Sequence, residues 1–297
     1  MKAVDARVLL TGASGGIGRA VADALVQAGA AVLLAGRSPA RIATQARELM
    51  HRFRQPPARI GWHAANLDSA TEIAALARTA VEWGCNAVVH NAGVPSFGRL
   101  ESLAADEIEQ TLRTNLLAPM LLSQALLPYL QRLPRAQLIF VGSALGRIGV
   151  PGFSAYAASK FGLRGFAEAL RRELADTAVR VQYLGPRGTH TDFNSSSVRA
   201  YQRATGAAMD APEAVARALV QLLEHGAAEA FRGGFATSRL TRSRRCTLPS
   251  SPVPARVDAA RSAGRRSPRS LPRSCCRVSR APPAPTTRSL RCSTNGK

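Results

Sequence analysis

The sequence is short of cysteine and of long apolar runs, and both shortages restrict what the chain can be. Four of its five cysteines lie in the last 66 residues, so the rest of the chain holds Cys85 alone. A single thiol cannot form an internal disulfide, which favours a reducing, cytoplasmic compartment. No apolar run reaches the roughly 18 residues of a membrane span, and no signal-peptide core follows Met1. We therefore expect neither membrane association nor secretion.

Acidic residues are scarce at one end of the chain, where positive charge accumulates. The 40 Lys and Arg residues outnumber the 19 Asp and Glu residues, which gives a formal net charge of +21. Residues 232–297 hold 16 of the basic residues and one acid, Asp258, or +15. Residues 1–231 hold 24 basic and 18 acidic residues, or +6. The charge belongs to a tail, and no nucleic-acid partner is expected for the part before it.

The tail, residues 233–297, lacks the apolar periodicity of a folded domain. Eight prolines, 11 serines and one aromatic residue, Phe235, occur from residue 232 onward. Such a composition buries too little apolar surface to offset chain entropy, so we expect disorder. An RNA- or phosphate-binding tail is one interpretation, but no aromatic residues interleave the arginines. We favour the interpretation that the tail is a non-native extension produced by a shifted reading frame. Translating the DNA in the other two frames tests this interpretation.

Before the tail, short β-rich runs alternate with longer runs of helical periodicity. The predicted strands are Arg7–Leu10, Ala31–Ala35, Ile60–Ala65, Ala87–His90, Gln137–Val141, Arg180–Leu184 and a last one near 229–232. The predicted helices are Ile17–Ala28, Ile42–Phe53, Thr71–Glu82, 105–133 with a break near Pro119, Tyr156–Leu174 and Pro212–His225. Apolar strands joined by helices indicate a parallel sheet covered on both faces. We predict one α/β domain, residues 1–232, with a doubly wound, Rossmann-type parallel sheet.

A glycine-rich segment, Thr11 to Gly18, joins the first predicted strand to the first predicted helix. Unpaired N–H groups at a helix N-terminus attract a pyrophosphate, and glycines let the backbone approach it closely. The spacing Gly-x-x-x-Gly-x-Gly departs from the Gly-x-Gly-x-x-Gly fingerprint of dinucleotide sites. A tight turn without a ligand therefore stays an alternative.

Tyr156 and Lys160 are four residues apart on a predicted helix and so share a face. A phenol with an ordinary pKa near 10 is a poor acid or base at neutral pH, unless a nearby positive charge favours the phenolate. Lys160 would supply that charge, in a chain with only three lysines. A surface Tyr–Lys pair is the alternative if this pair is considered by itself.

Five segments together resemble the short-chain dehydrogenase/reductase family. They are Thr11-Gly12-Ala13-Ser14-Gly15-Gly16-Ile17-Gly18, Asn91-Ala92-Gly93, Asn115, Ser143 and Tyr156-Ala157-Ala158-Ser159-Lys160. The resemblance covers residues 5–232 and implies an NAD(P)-dependent oxidoreductase that acts on a small carbonyl or alcohol substrate. It also implies a homodimer or homotetramer. A cofactor-binding protein without turnover stays open, and NADPH binding without oxidation would favour it.

The resemblance implies a role for each catalytic residue. Tyr156 would give or take the proton of the substrate oxygen, and Ser143 would hold that oxygen by a hydrogen bond. Asn115 would position a water that relays protons to Lys160. Asn115 could equally be an amide bonded to backbone inside its helix.

The cofactor contacts are also implied by the resemblance. They involve Gly12, Ser14, Gly16, Ile17, Gly18, Arg37, Ser38, Asn66, Leu67, Asn91, Ala92, Gly93, Tyr156, Lys160, Pro186, Thr189 and Thr191. Asn66 stands where the family more often has Asp in contact with adenine. Thr191 would bond the nicotinamide carboxamide, in a loop where Arg187 replaces a more frequent glycine.

The end of the second predicted strand bears on the choice between NAD and NADP. An NAD site places an acid there to bind both ribose hydroxyls, but this chain has Gly36. Arg37 and Ser38 follow, and a guanidinium and a hydroxyl suit a 2′-phosphate. The sequence therefore predicts NADP rather than NAD. The alternative is that Arg37 lies on a loop surface and does not contact the cofactor.

Three weaker signals complete the sequence-based expectations. His63, His90 and His190 lack ligand spacing, so we expect no metal site. Residues 192–210 are predicted to be a polar, flexible stretch, and the resemblance implies that they form the substrate lid. Cys85 is predicted to be a packed thiol rather than a nucleophile.

Overall fold

A computed structural model describes residues 1–231, and seven parallel strands form a single sheet in it. The strands are β1 (Arg7–Thr11), β2 (Ala31–Gly36), β3 (Ile60–Ala64), β4 (Ala87–His90), β5 (Ala136–Val141), β6 (Val179–Gly185) and β7 (Glu229–Phe231). Their order across the sheet is β3-β2-β1-β4-β5-β6-β7. The predicted doubly wound, Rossmann-type α/β fold is confirmed. The predictions for the tail lie outside the described residues.

Helices cover both faces of the sheet. They are α1 (Gly16–Gln27), α2 (Pro39–Phe53), α3 (Ala70–Glu82), α4 (Ala105–Leu112), α5 (Ala118–Leu130), α6 (Ser154–Glu173), α7 (Ser196–Thr205) and α8 (Pro212–His225). Successive residues of a strand point to opposite faces, so Val8 and Leu10 enter the apolar cluster under α1, α2 and α8, whereas Leu9 enters the one under α3, α5 and α6. Within residues 1–231, every helix is too short or too polar to cross a bilayer.

The order of the strands reverses at β1, which pairs with β2 on one side and β4 on the other. Leu9 is in register with Leu33 of β2 and with Val88 of β4. At such a switch point the loops after the two strands diverge to opposite faces and leave a crevice between them. The segments after β1 and β4 therefore meet at the carboxyl edge of the sheet.

The predicted break near Pro119 is wrong in position. The helical run from residue 105 is interrupted earlier, by a π-helical turn over Arg113–Leu117, and α5 continues from it directly. A π turn adds one residue to the helix and occurs often at functional sites. Pro119 lies in the first turn of α5, just after the widened turn.

The predicted flexible lid contains a regular helix, α7. Ser195 caps it by accepting a hydrogen bond from the Val198 N–H at 3.2 Å, and Gly206 ends it with a φ of 62°. Val198 and Tyr201, one turn apart, are buried. The helix was missed because only these two apolar residues mark its inner face, whereas the cap and the terminal glycine could have indicated it.

Candidate active site

The glycine-rich segment forms the turn between β1 and α1. Gly12 has a φ of 63°, and a Cβ on it would lie 2.7 Å from the Ala92 Cα, so the turn packs against the loop after β4. Gly15 stands at the N-cap of α1 and offers no side-chain cap, and both Gly15 and Gly16 are exposed. The first N–H groups of a helix have no partner within it. This end of α1 is therefore open to an anion.

Asn91 and Thr11 hold that turn in place. The Asn91 Nδ2 donates to the carbonyl oxygens of Thr11 and Gly12, both at 3.1 Å. The Thr11 Oγ1 accepts from the N–H groups of Asn91 and Ala92 at 3.0 and 3.1 Å. The amide of Asn91 thus faces the protein, and the cofactor contacts expected of Asn91, Ala92 and Gly93 stay predictions. Gln45, which the sequence did not indicate, donates to the Ala13 carbonyl at 3.0 Å.

Lys160 is buried where α6 meets the end of β5, with 3% of its surface exposed. Its Nζ donates to the Val141 carbonyl at 3.3 Å. A Cβ on Gly93 would lie 3.6 Å from this Nζ and 3.1 Å from the Asn115 Oδ1. Three of the sequence-predicted residues therefore converge at one point.

Asn115 lies in the π turn and binds the loop after β4. Its Oδ1 accepts from the Val94 N–H at 2.8 Å, and its Nδ2 donates to the Val94 carbonyl at 3.0 Å. The Nδ2 also donates to the Ser159 Oγ at 3.1 Å, and that hydroxyl donates to the Tyr156 carbonyl at 2.7 Å. The Asn115 amide is bonded to backbone, as the alternative interpretation expected. That backbone belongs to the loop after β4, however, and not to the helix of Asn115. The water relay stays a prediction.

Burial controls the charge of the Tyr156–Lys160 pair. It lowers the pKa of Lys160 from 10.5 to about 8, because the ammonium has lost its hydration. Burial also raises the pKa of Tyr156, and a hydrogen bond with Ser143 opposes this rise. The Lys160 Nζ is 5.7 Å from the centroid of the Tyr156 ring. Burial thus has a larger effect on the pKa of Tyr156 than any group that lowers it, and the role expected of Lys160 towards Tyr156 stays a prediction.

Tyr183 of β6, which the sequence did not indicate, fixes the backbone of Ser143. Its hydroxyl accepts from the Ser143 N–H at 3.1 Å and donates to the Ser143 carbonyl at 3.3 Å. A Cβ on Gly142 or Gly146 would overlap this hydroxyl, so the two glycines around Ser143 make room for it. The Ser143 Oγ accepts from the Leu145 N–H at 3.1 Å, which leaves its proton for another acceptor. Gly142 and Gly146 stand on either side of Ser143 in the sequence. These two glycines are the signal that could have indicated that a large side chain packs against this segment.

Arg37 and Ser38 follow β2 at the edge of the crevice. The Ser38 Oγ caps α2 by accepting from the Arg41 N–H at 3.4 Å, and the hydroxyl retains its proton. Arg37 is exposed and forms no ion pair or hydrogen bond with any residue of the described range. The same holds for the guanidinium of Arg41, which the sequence did not indicate.

Asn66 and Leu67 lie after β3, at the far end of the crevice. The Asn66 N–H donates to the Glu72 Oε2 at 2.7 Å, and its Oδ1 accepts from the Asp68 N–H at 3.2 Å. Asn66 is exposed and Leu67 is half-buried. Their contact with adenine stays a prediction.

The loop after β6 closes the other side of the crevice. A Cβ on Gly16 would lie 2.7 Å from the Thr191 Cβ, so Thr191 rests on the glycine turn. The Thr189 hydroxyl instead donates to the Arg187 carbonyl at 3.0 Å. Arg187 binds the Asp210 Oδ1 through Nε and Nη2, at 3.0 and 2.6 Å. Arg187, which stands where the family more often has a glycine, thus ties the loop after β6 to Asp210, which follows α7.

The remaining reactive side chains have structural surroundings. His90 stacks on Phe140 at 4.6 Å between ring centroids, and burial lowers its pKa to about 3. Burial raises the pKa of Cys85 to about 12, as expected of a packed thiol. In the part of the chain that the structure describes, no group of three His, Cys, Asp or Glu residues is arranged to hold a metal ion.

The geometry agrees with comparisons to known proteins. A family model described as short chain dehydrogenase matches residues 6–202. The chain belongs to the short-chain dehydrogenase family. It is therefore an oxidoreductase of the NAD(P)-dependent dehydrogenase and reductase class.

Several short-chain dehydrogenases resemble this one. Oxidoreductase claN of Passalora fulva is 34% identical over 194 residues, which are 64% of this chain and 85% of that protein. The 3-oxoacyl-acyl-carrier-protein reductase of Vibrio harveyi is 32% identical over 191 residues, 63% of this chain and 75% of that protein. An alcohol dehydrogenase of Thermococcus sibiricus, solved with 5-hydroxy-NADP, is 26% identical with a TM-score of 0.67, over 76% of this chain and 95% of its own.

We expect Tyr183→Phe to weaken both folding and turnover. The substitution leaves the Ser143 N–H without this partner, whereas the Ser143 carbonyl still accepts from the Gly146 N–H at 3.0 Å. The unsatisfied N–H costs about 1–3 kcal/mol of unfolding free energy. The looser Ser143 should lower kcat by roughly 10- to 100-fold, because catalysis depends on position, while NADPH affinity stays within twofold. Urea unfolding, steady-state kinetics and NADPH titration measure these effects. Tyr129→Phe, a half-buried tyrosine on α5, is the control, and an unchanged kcat in Tyr183→Phe would contradict the role.

We expect Lys160→Met to stabilise the protein in a pH-dependent way. Because burial lowers the pKa of Lys160 from 10.5 to about 8, the unfolded chain binds more protons between these pH values, and stability from this site rises with pH there. The variant should gain about 3 kcal/mol of unfolding free energy at pH 7, and the gain should shrink towards pH 10.5. Urea unfolding at several pH values tests this, with the exposed Lys2→Met as control. A pH-independent difference would contradict it.

Proposed function

We propose that this short-chain dehydrogenase is an NADP-dependent carbonyl reductase or alcohol dehydrogenase, with its catalytic domain in residues 1–232. The observation that carries the proposal is the convergence of Tyr156, Ser143 and Lys160 beside a helix N-terminus without a side-chain cap. A dinucleotide fits these residues. The open end of α1 would accept a pyrophosphate, and a Cβ at Gly12, Gly16 or Gly18 would collide with its neighbours.

The cofactor contacts follow the crevice. The backbone from Gly12 to Gly18, with Ser14, would hold the pyrophosphate, and Lys160 would donate to the ribose. Asn66 and Leu67 would contact adenine, and Pro186, Thr189 and Thr191 would border the nicotinamide. When bound, the nicotinamide supplies or accepts a hydride at the substrate carbon.

The chain itself supplies the proton and the orientation of the substrate. Tyr156, a protonated phenol, donates to the carbonyl oxygen during reduction, and the hydrogen bond with Ser143 favours this donation because it opposes the rise in pKa that burial causes. The Ser143 hydroxyl donates a hydrogen bond to the same oxygen and stabilises the charge that develops there. Lys160, with Asn115 beside it, returns a proton towards Tyr156. With a pKa of about 8, the ammonium can give and take protons near neutral pH.

The preference for NADP depends on the α2 end of the crevice. Arg37 and Arg41 carry positive charges that no described residue neutralises, and Ser38 adds a hydroxyl at the start of α2. A dianionic 2′-phosphate would meet all three groups, and no acid stands at Gly36 to bind the ribose of NAD. The Thermococcus sibiricus relative, whose structure holds an NADP derivative, supports this choice.

The proposal includes a homodimer or homotetramer in the cytoplasm, with no nucleic-acid partner. Leu112, Leu117, Met120 and Phe161 are between 36% and 44% exposed, on helices that pack beside one another. Apolar side chains at this exposure suit a subunit interface. Size-exclusion chromatography with light scattering tests the assembly.

We expect Tyr156→Phe to lower carbonyl reduction by roughly 10²- to 10⁴-fold, because the hydroxyl transfers the proton and the ring keeps its shape. NADPH affinity should stay nearly unchanged. A panel of ketones, aldehydes and alcohols with NADPH or NADP measures turnover, and fluorescence titration measures binding. Tyr129→Phe is the matched control. A variant that keeps more than half of the parent rate would refute the assignment, and binding without oxidation in the parent would indicate a protein without turnover.

We expect Arg37→Asp to reverse the cofactor preference. The change removes a charge-assisted bond to the 2′-phosphate, adds repulsion and offers an acceptor to the ribose of NAD. Such a bond corresponds to roughly a 10- to 150-fold change in relative affinity. Dissociation constants for NADPH and NADH measure the ratio. Arg47→Asp, an exposed arginine further along α2, should leave it unchanged, and an unaltered ratio in Arg37→Asp would mean that Arg37 faces solvent.

A further inference from the structure

Aromatic side chains gather around Tyr156, although they are rare in the chain. The sequence has 15 Trp, Tyr and Phe residues, and Tyr156 with four others forms one group beside the site. The four are Phe97, Phe153, Phe193 and Tyr201. None of them belongs to the motifs that carry the chemistry.

Three of these rings form a triad on one side of Tyr156. Phe97 lies 4.7 Å from Phe153 and 5.5 Å from Tyr201, and Phe153 lies 5.9 Å from Tyr201, between ring centroids. Phe153 reaches Tyr156 at 6.4 Å in an edge-on arrangement. The Gly98 N–H donates to the Gly152 carbonyl at 2.9 Å and ties together the loops that bear Phe97 and Phe153. The triad is thus held beside the Tyr156 ring.

Phe193 forms a separate aromatic face. Its ring lies 6.0 Å from Tyr156, and within residues 1–231 it has no ring contact with the triad. The side chain is 36% exposed, although apolar rings are normally covered. Its position is set by the turn in which the Asn194 Nδ2 donates to the Thr189 carbonyl at 2.7 Å. Phe193 is therefore a partly exposed ring beside the ring of Tyr156.

The positive charge of Arg187 is neutralised in the loop after β6, which also carries Phe193. Arg187, the arginine at the start of the loop, is paired with Asp210 and is not offered to a substrate. The exposed Asp192, next to Phe193, adds negative charge at the rim. A carboxylate or phosphate on the substrate would face the carboxylate of Asp192, whereas a neutral aromatic ring would meet aromatic faces.

We propose that Phe193 and the Phe97–Phe153–Tyr201 triad form the wall of the substrate pocket, and that the substrate is an uncharged ketone or aldehyde with an aryl group beside its carbonyl, or the corresponding alcohol. This inference rests on the proposed function. The aryl ring packs between Phe193 and the triad while the carbonyl oxygen faces Tyr156 and Ser143. Reduction consumes the ketone, a hydride from NADPH and a proton from Tyr156, and it releases the alcohol and NADP.

A pair of ketones of equal size tests the substrate class. Acetophenone and cyclohexyl methyl ketone differ mainly in aromaticity, and conjugation makes the aryl ketone the less reactive of the two. Each ring contact favours an aromatic partner by about 2- to 12-fold, so kcat/KM should be about tenfold higher for acetophenone. The anionic phenylglyoxylate should be a poorer substrate than acetophenone.

Phe193→Leu separates the aromatic contact from general activity. It should lower the ratio of kcat/KM for acetophenone to that for the cyclohexyl ketone about 2- to 12-fold. Phe53→Leu, a half-buried phenylalanine at the end of α2, should leave this ratio unchanged. Saturation-transfer NMR of 1-phenylethanol with the Tyr156→Phe protein and NADP reports binding without turnover, and the added Phe193→Leu change should weaken this signal.

The outcomes distinguish this inference from the proposed function. Equal or faster reduction of the cyclohexyl ketone would overturn the aryl assignment and leave the reductase standing. Aryl binding that Phe193→Leu weakens, with no reduction of any carbonyl, would overturn the reductase and support the aromatic wall. Absence of both binding and reduction would overturn both.

Discussion

The parallel pairing of β1 with both β2 and β4 is the constraint on which the site depends. Because the chain turns to opposite faces after β1 and β4, their carboxyl ends face a crevice rather than a covering helix. Thr11 and Asn91 then bond across this crevice and lock the glycine turn to the loop after β4. Substitution in the core of β1 would therefore disturb the cofactor site as well as the fold.

Burial of Lys160 links the stability of the fold to its chemistry. An ammonium with one carbonyl partner costs folding free energy, and the lowered pKa records that cost. The same burial places a proton-exchanging group with a pKa near neutrality at the base of the site. Burial has the opposite effect on the pKa of Tyr156, which it raises, and the hydrogen bond with Ser143 opposes that rise.

The loops determine what the site can accept. Phe97 follows β4, Phe153 precedes α6, and Phe193 and Tyr201 follow β6, so the aromatic wall is assembled from segments far apart in the chain. The Arg187–Asp210 pair holds the last of these segments to the end of β6. In the proposed function, the residues at the edge of the sheet would supply the chemistry, and these loops would supply the selectivity.

The sequence by itself determined the fold class, the strand–helix alternation and the family, because apolar periodicity and ordered motifs are local properties. It placed β4 and α8 at their observed bounds and brought Ser143, Tyr156 and Lys160 into one site. The π turn at Asn115, helix α7 and the insertion of Tyr183 between Gly142 and Gly146 were decided by the tertiary structure. The tertiary structure also decided the raised pKa of Tyr156. Burial and the partners of a buried polar group depend on segments that only folding brings together.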